Sequence, residues 1–181
     1  MASITQAMIL AAGKGTRLRP LTLETPKPLV EVGGQPLIVW HIKALQAAGI
    51  TDITINASWL ADKLMTALGD GSQFDVNLHW SVEEDEPLET AGGIFQALQT
   101  GKLRDEPFIL VNSDVWTTYD FGSLKDYELN NDQKAHLILI DNPEHNNGGD
   151  FAINNGLASE QPIADADKYT FAGISVMSPR L

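Results

Sequence analysis

Leu10-Ala11-Ala12-Gly13-Lys14-Gly15-Thr16-Arg17-Leu18 sets two glycines and two cations directly after a short apolar run. Glycines in that place let backbone amides approach phosphate oxygens closely, and the flanking cations offset the charge. Two better-known phosphate loops do not fit. Leu18 stands where the dinucleotide fingerprint needs a third glycine, and the Gly-Lys-Ser/Thr ending of the P-loop is missing at the required spacing. The same loop opens a local basic island: Lys14, Arg17, Arg19 and Lys27 lie between positions 14 and 27, where Glu24 is the only acid. With a formal net charge of −12 over the whole chain, such an island suits a small phosphorylated ligand.

Lys27 is held on both sides by proline, in Thr25-Pro26-Lys27-Pro28-Leu29. The two rings restrict the backbone and give the ammonium a defined direction, which a solvated lysine does not need. A second group of candidates is acidic. Asp114 follows an apolar run at Asn112-Ser113-Asp114, and Glu83, Glu84, Asp85, Glu86 and Glu89 cluster ahead of Gly92. A carboxylate can accept the N3 proton of uracil, and it can equally pair with N1 and N2 of guanine.

These residues must be carried by regular elements, and the apolar pattern supplies them. Strands are expected at Ala7 to Ala11, Ile53 to Ala57, Val76 to Trp80, Phe108 to Val111, Leu137 to Ile140 and Tyr169 to Met177. Between them, Leu37, Ile38, His41, Ile42, Leu45 and Ala48 recur at helical spacing, with Gly49 as a C-cap. Ser58 is expected to cap a helix carrying Leu60, Leu64 and Leu68, and Gly92 to Leu98 reads as a short helix. Alternating strands and helices predict an α/β domain, a Rossmann-like, mostly parallel sheet flanked by helices, spanning residues 1–181 as one unit. Ligands of such sheets bind beyond the carboxyl ends of the strands, which directs attention to 12–17, 57–59, 81–90 and 112–114.

Taken together, Leu10 to Leu18, Pro26-Lys27-Pro28 and Gly34-Gln35-Pro36-Leu37-Ile38 resemble the signature of sugar-1-phosphate nucleotidyltransferases. Leu88-Glu89-Thr90-Ala91-Gly92-Gly93-Ile94, Asn112-Ser113-Asp114 and Phe171-Ala172-Gly173-Ile174 follow in the family's order. The resemblance implies that Leu10, Ala11, Ala12, Gly13, Lys14, Gly15 and Thr16 hold a nucleoside triphosphate, with backbone amides of residues 11–16 on its phosphates. It further places Glu84, Glu89 and Gly92 on the nucleotide, Arg17 and Lys27 in catalysis, and a magnesium ion on Asp114. The family usually has glycine where Glu89 stands, and often a glutamine against the base near Glu83. Glu83, Asp85 and Glu86 themselves read as an acidic solvated loop. Glu89, the run Asn112 to Trp116, and Gly149-Asp150-Phe151 are most similar to one subgroup, the N-acetylmuramate-1-phosphate uridylyltransferases of cell-wall recycling. That likeness implies UTP and N-acetylmuramate-1-phosphate as substrates, with Asn112, Gly149, Asp150 and Gly173 on the sugar side. Mannose- or glucose-1-phosphate with GTP or dTTP, and a nucleotide sensor without turnover, stay open.

Composition narrows the rest. No cysteine is present, so disulfides and thiolate chemistry are excluded, and a cytoplasmic enzyme is expected. The acidic balance and the lack of a basic stripe argue against nucleic acid as a partner; the short apolar runs argue against a membrane. The oligomeric state is not legible. His41, His79, His136 and His145 do not form a ligand set, and of the four tryptophans Trp116 is the expected ligand contact. A dinucleotide-dependent oxidoreductase is disfavoured by Leu18, with Glu31 the one acid near the usual ribose position. Ser178-Pro179 reads as a helix start at the end of the chain. It suggests truncation, with the family's second metal-binding aspartate, in a Trp-x-Asp-x-Gly segment, lying beyond residue 181.

Overall fold

The structure is a computed structural model that describes residues 3–84, 87–130, 132–161 and 167–180. Strand β1 (Gln6–Leu10) is the centre of the fold. It pairs in parallel with β4 (Asp52–Ala57) on one side and with β6 (Phe108–Asn112) on the other. Between β1 and β4 the chain forms the short helix α1 (Leu21–Glu24) and a separate antiparallel pair, β2 (Glu31–Val32) and β3 (Gln35–Pro36). Outside β4 lies β5 (Asn77–Val82), also parallel. The chain therefore travels outward from β1 to β5 and then returns to the far side of β1. That reversal opens a crevice at the carboxyl ends of the strands.

The sheet is not parallel throughout. The long strand β10 (Lys168–Met177) runs antiparallel to β6 and also pairs with β7 (Ala135–Ile140) and β8 (Phe151–Asn154), which in turn pairs with β9 (Leu157–Ser159). A register shift between Phe171 and Ser175 interrupts the β10–β7 ladder around Gly173, whose φ is +74°.

Period-two alternation along the strands decides which helix packs where. Ala7, Ile9, Ile53, Ile55, Ile109 and Val111 face one side, against Ile38, Ile42 and Leu45 of α2 (Leu37–Ala47) and Leu64 and Leu68 of α3 (Ala61–Leu68). Met8, Phe108 and Leu110 face the other side, against Ile94 and Ala97 of α4 (Glu89–Gln99). α2 stops as its pattern predicts: Gly49 takes φ +77°, and the amides of Gly49 and Ile50 bond back to Gln46 and Leu45.

Two local expectations fail. Ser58 does not cap α3 with its side chain; Leu60, at φ +55°, makes the turn into the helix, and only the Ser58 carbonyl takes part, accepting the Ala61 amide. Helix α4 begins at Glu89 rather than Gly92, with Glu89 itself at φ +59°. Among the described residues no helix is long and apolar enough to cross a membrane.

Candidate functional site

In-register pairing puts Leu10 beside both Asn56 and Asn112, a row across the carboxyl ends of β4, β1 and β6. Above that row lies a cavity of about 380 Å³, within the range of small-molecule sites. Its walls include Leu10, Ala11, Ala12, Gly13, Gly15, Thr16 and Arg17 from the glycine loop and Lys27 from the proline-flanked turn. Glu83, Glu89 and Thr90 come from the third wall, and Asn112 and Asp114 from the strand β6 and its exit. Segments separated by about a hundred residues thus converge on one cavity.

Local contacts explain how the loop keeps its shape. A Cβ on Gly15, at φ +59°, would stand 2.9 Å from Thr22 Cγ2 and 3.1 Å from Lys27 Cβ, so only glycine lets the loop lie against that segment. The Thr22 hydroxyl donates to the Gly15 carbonyl at 2.7 Å, and Trp59 Nε1 donates to the Thr22 carbonyl at 2.9 Å. Gly13 is the opposite case: nothing lies within 4 Å of an added Cβ, and its backbone borders the cavity. One amide of the loop is already engaged, since Ala11 donates to Asn56 Oδ1 at 2.8 Å. Within the span 11–16 expected to face phosphate, the Ala11 amide is thus already bonded inside the protein.

Pro26 and Pro28 are buried, and Lys27 opens a tight turn between them, Lys27–Leu29. Its ammonium donates to Asp114 Oδ2 at 2.5 Å, with the two side chains 22% and 38% exposed. The expected catalytic cation and the expected metal ligand are thus in direct contact. Beneath this pair lies His41, buried on α2. Burial holds its imidazole below the ordinary value, opposed by a hydrogen bond to the Val115 backbone and by the Asp114 charge. Its Nε2 has no hydrogen-bond partner among the described residues. Periodicity assigns His41 only to the apolar face of its helix; the fold adds its contact with the Asp114 loop.

Glu83 is the main correction. Far from solvated, it is 2% exposed, and both carboxylate oxygens accept hydrogen bonds, from Asn56 Nδ2 and from the Leu88 amide. The exposed Glu84 is absent from the cavity wall, while Asp85 and Glu86 lie outside the described residues. Glu89 borders the cavity in a left-handed conformation that favours glycine, which accounts for a glycine being usual there.

The expected sugar-side residues divide. Gly173 is packed under Asn112, since an added Cβ would lie 3.1 Å from Asn112 Cβ and 3.1 Å from Val115 Cγ2. Gly149 packs against Lys168 and Asn142 instead. Asp150 accepts the Asn146 side-chain amide at 3.0 Å and the Phe171 amide at 2.8 Å, which ties its loop to β10. Neither Gly149 nor Asp150 borders the cavity. Lys14, Gly92 and Trp116 are also absent from its wall; Trp116 meets Trp40 edge-on at 6.4 Å. Asn56 was missed in the sequence because it reads as one more residue of a buried strand. The available signal was a polar side chain at the carboxyl end of a parallel strand.

Comparison with known proteins follows this geometry. The family model described as nucleotidyl transferase matches residues 6–151. The N-acetylmuramate alpha-1-phosphate uridylyltransferase of Neisseria meningitidis serogroup B is 45% identical over 178 residues, covering 97% of this chain and 76% of that protein. A mannose-1-phosphate guanyltransferase of Aspergillus oryzae is 36% identical over 183 residues, and the chain spans 50% of its length. HddC from Yersinia pseudotuberculosis, complexed with GMP-PN, has the same fold: TM-score 0.77 at 22% identity, over 98% of this chain and 78% of that one.

Proposed function

The chain belongs to the nucleotidyl transferase family, and on that premise we propose that it transfers UMP from UTP to a sugar-1-phosphate, N-acetylmuramate-1-phosphate first among candidates, and releases pyrophosphate. The observation that carries the reading is the cavity itself. A glycine loop, two cations, three carboxylates and two asparagines line one space at the sheet's switch point.

The reaction is an in-line displacement. A phosphate oxygen of the sugar-1-phosphate forms a bond to the α-phosphorus, the bond from α-phosphorus to the bridging oxygen breaks, and pyrophosphate departs with that electron pair. Such transfers ask for positioning and charge stabilisation more than for covalent help from the protein. Amides of the loop after Ala11 hold the triphosphate, and Arg17 meets the charge on the leaving pyrophosphate. Lys27 lies between the α-phosphate and the incoming phosphate. Glu89 faces the base, and Asn112, over Gly173, faces the sugar.

A divalent cation fits at Asp114. Its carboxylate already carries a cation, the Lys27 ammonium, and it faces the space a triphosphate would fill. Among the described residues there is no cluster of three or more His, Asp or Glu that could hold a metal by itself. Magnesium suits this arrangement, since it commonly takes one or two carboxylates plus substrate phosphates and water. When bound it supplies charge neutralisation at the phosphates.

A guanine nucleotide is the second reading, because a carboxylate such as Glu89 pairs with guanine N1 and N2, and the relatives include guanyltransferases. The test is mass spectrometry of products from N-acetylmuramate-, mannose- and glucose-1-phosphate, each with UTP, GTP, CTP and dTTP. A UDP-sugar from N-acetylmuramate-1-phosphate is the expected product. A GDP-sugar alone would overturn the base assignment.

A further inference from the structure

The carboxyl ends of β1, β4 and β5 stand side by side, and one chain of hydrogen bonds crosses all three. The Ala11 amide donates to Asn56 Oδ1 at 2.8 Å. That contact fixes the orientation of the Asn56 amide, because only its oxygen can face an N–H. Its nitrogen then faces Glu83 Oε1, also at 2.8 Å. The remaining carboxylate oxygen accepts the Leu88 amide at 2.8 Å. Asn56 and Glu83 are 3% and 2% exposed. Helix α4 closes over them through Gly93, where any Cβ would lie 2.8 Å from Asn56 Nδ2 and 2.8 Å from Glu83 Oε1.

The two ends of this relay are the informative feature. Ala11 leads into the glycine loop, and Leu88 immediately precedes the left-handed Glu89. Each end sits at the root of a different wall of the cavity. A buried carboxylate and amide are poor devices for stability alone, since an apolar pair of similar size often does as well. They do fix geometry, because every link has one permitted polarity.

We infer that Asn56 and Glu83 are positioning residues that set the separation between the phosphate wall and the base wall. The inference rests on the nucleotidyl-transfer reading. It requires no contact between either side chain and the nucleotide.

Polarity makes the inference testable by exchange. In Asn56→Asp, two carboxylate oxygens face each other. In Glu83→Gln, the new amide must turn its N–H groups toward either the Leu88 amide or the Asn56 nitrogen. Each change alone is expected to weaken UTP binding and raise its KM about tenfold, the effect of one unsatisfied buried group, with the KM for sugar phosphate unchanged. The double variant Asn56→Asp/Glu83→Gln restores every pairing. The new carboxylate accepts Ala11 and the new amide, whose oxygen accepts Leu88. UTP affinity should return to within about threefold of the unaltered chain.

The measurements are calorimetric UTP affinity with magnesium, steady-state kinetics of pyrophosphate release, and thermal melting on the same samples. Gly93→Ala keeps both side chains and covers the case of a single variant that does not fold. It too should weaken UTP about tenfold, by pressing on the pair. Singles that bind UTP like the unaltered chain would overturn the inference. So would unchanged UTP binding in Gly93→Ala. A double variant that regains its melting temperature but not its UTP affinity would do the same, by assigning the Glu83 carboxylate to the nucleotide directly. An unaltered chain that binds no triphosphate would overturn the functional reading, and the relay's role with it.

Discussion

Glu89→Gly should make the protein more stable and a poorer enzyme. Glu89 sits at φ +59° as the first residue of α4, and a left-handed backbone costs a residue with a Cβ about 1–2 kcal/mol. Glycine removes that cost but adds about 0.5–1 kcal/mol of chain entropy to be lost on folding. The net gain is up to about 1.5 kcal/mol, or up to roughly 6 °C in melting temperature for a chain of this size. Glu89→Ala is the control: it removes the same carboxylate and keeps the strain, so it should melt at or below the unaltered temperature. If the carboxylate reads the base, both variants lose one charge-assisted hydrogen bond, and kcat/KM for UTP falls about 10- to 100-fold in each. Thermal scanning beside UTP kinetics separates the two effects. A glycine variant that melts no higher than the alanine variant would refute the strain argument. Unchanged UTP kinetics in both would refute the contact with the base.

Other changes have distinct signatures. Lys27→Ala should lower turnover on the order of a hundredfold with little change in melting, because the partly exposed pair with Asp114 contributes under about 1 kcal/mol to stability; normal turnover would contradict its role. Gly15→Ala should destabilise by about 1–3 kcal/mol and impair turnover, since its Cβ would press on Thr22 and Lys27 Cβ at a positive φ; melting and pyrophosphate release together check this. Burial lowers the His41 pKa, so the unfolded chain takes up the proton first as pH falls. Stability from His41 is therefore full above about pH 6.5 and is lost as pH falls from there toward the folded value. His41→Gln should flatten that acid-side slope in urea titrations, and His136, also lowered by burial, should account for part of what remains.

The glycine-loop side of the cavity was legible because its demands are local. Gly15 permits a left-handed backbone, Gly13 presents bare backbone to the cavity, and the prolines around Lys27 restrict theirs, so residue type and spacing alone signal them. Asp114 was legible because it follows the apolar run Phe108 to Val111 of β6. Glu83 was not, for its neighbours in sequence are acids and its partners come from β4 and from the residue before α4. A carboxylate held inside the fold by one amide from another strand and one from five residues on has the same local pattern as one in water. The entry into α3 was misread for a related reason. Ser58 has the right side chain for a cap, yet Leu60 takes the left-handed turn into the helix and the hydroxyl makes no cap bond. The antiparallel β10 was likewise invisible to periodicity, which records a strand but not its direction.

The most direct test of the central claim is pyrophosphate release from UTP and magnesium, with and without N-acetylmuramate-1-phosphate, in parallel for the unaltered chain and Lys27→Ala. The account predicts release that requires both substrates and falls about a hundredfold in the variant. UTP binding without release from any sugar-1-phosphate, or release indifferent to Lys27, would contradict it.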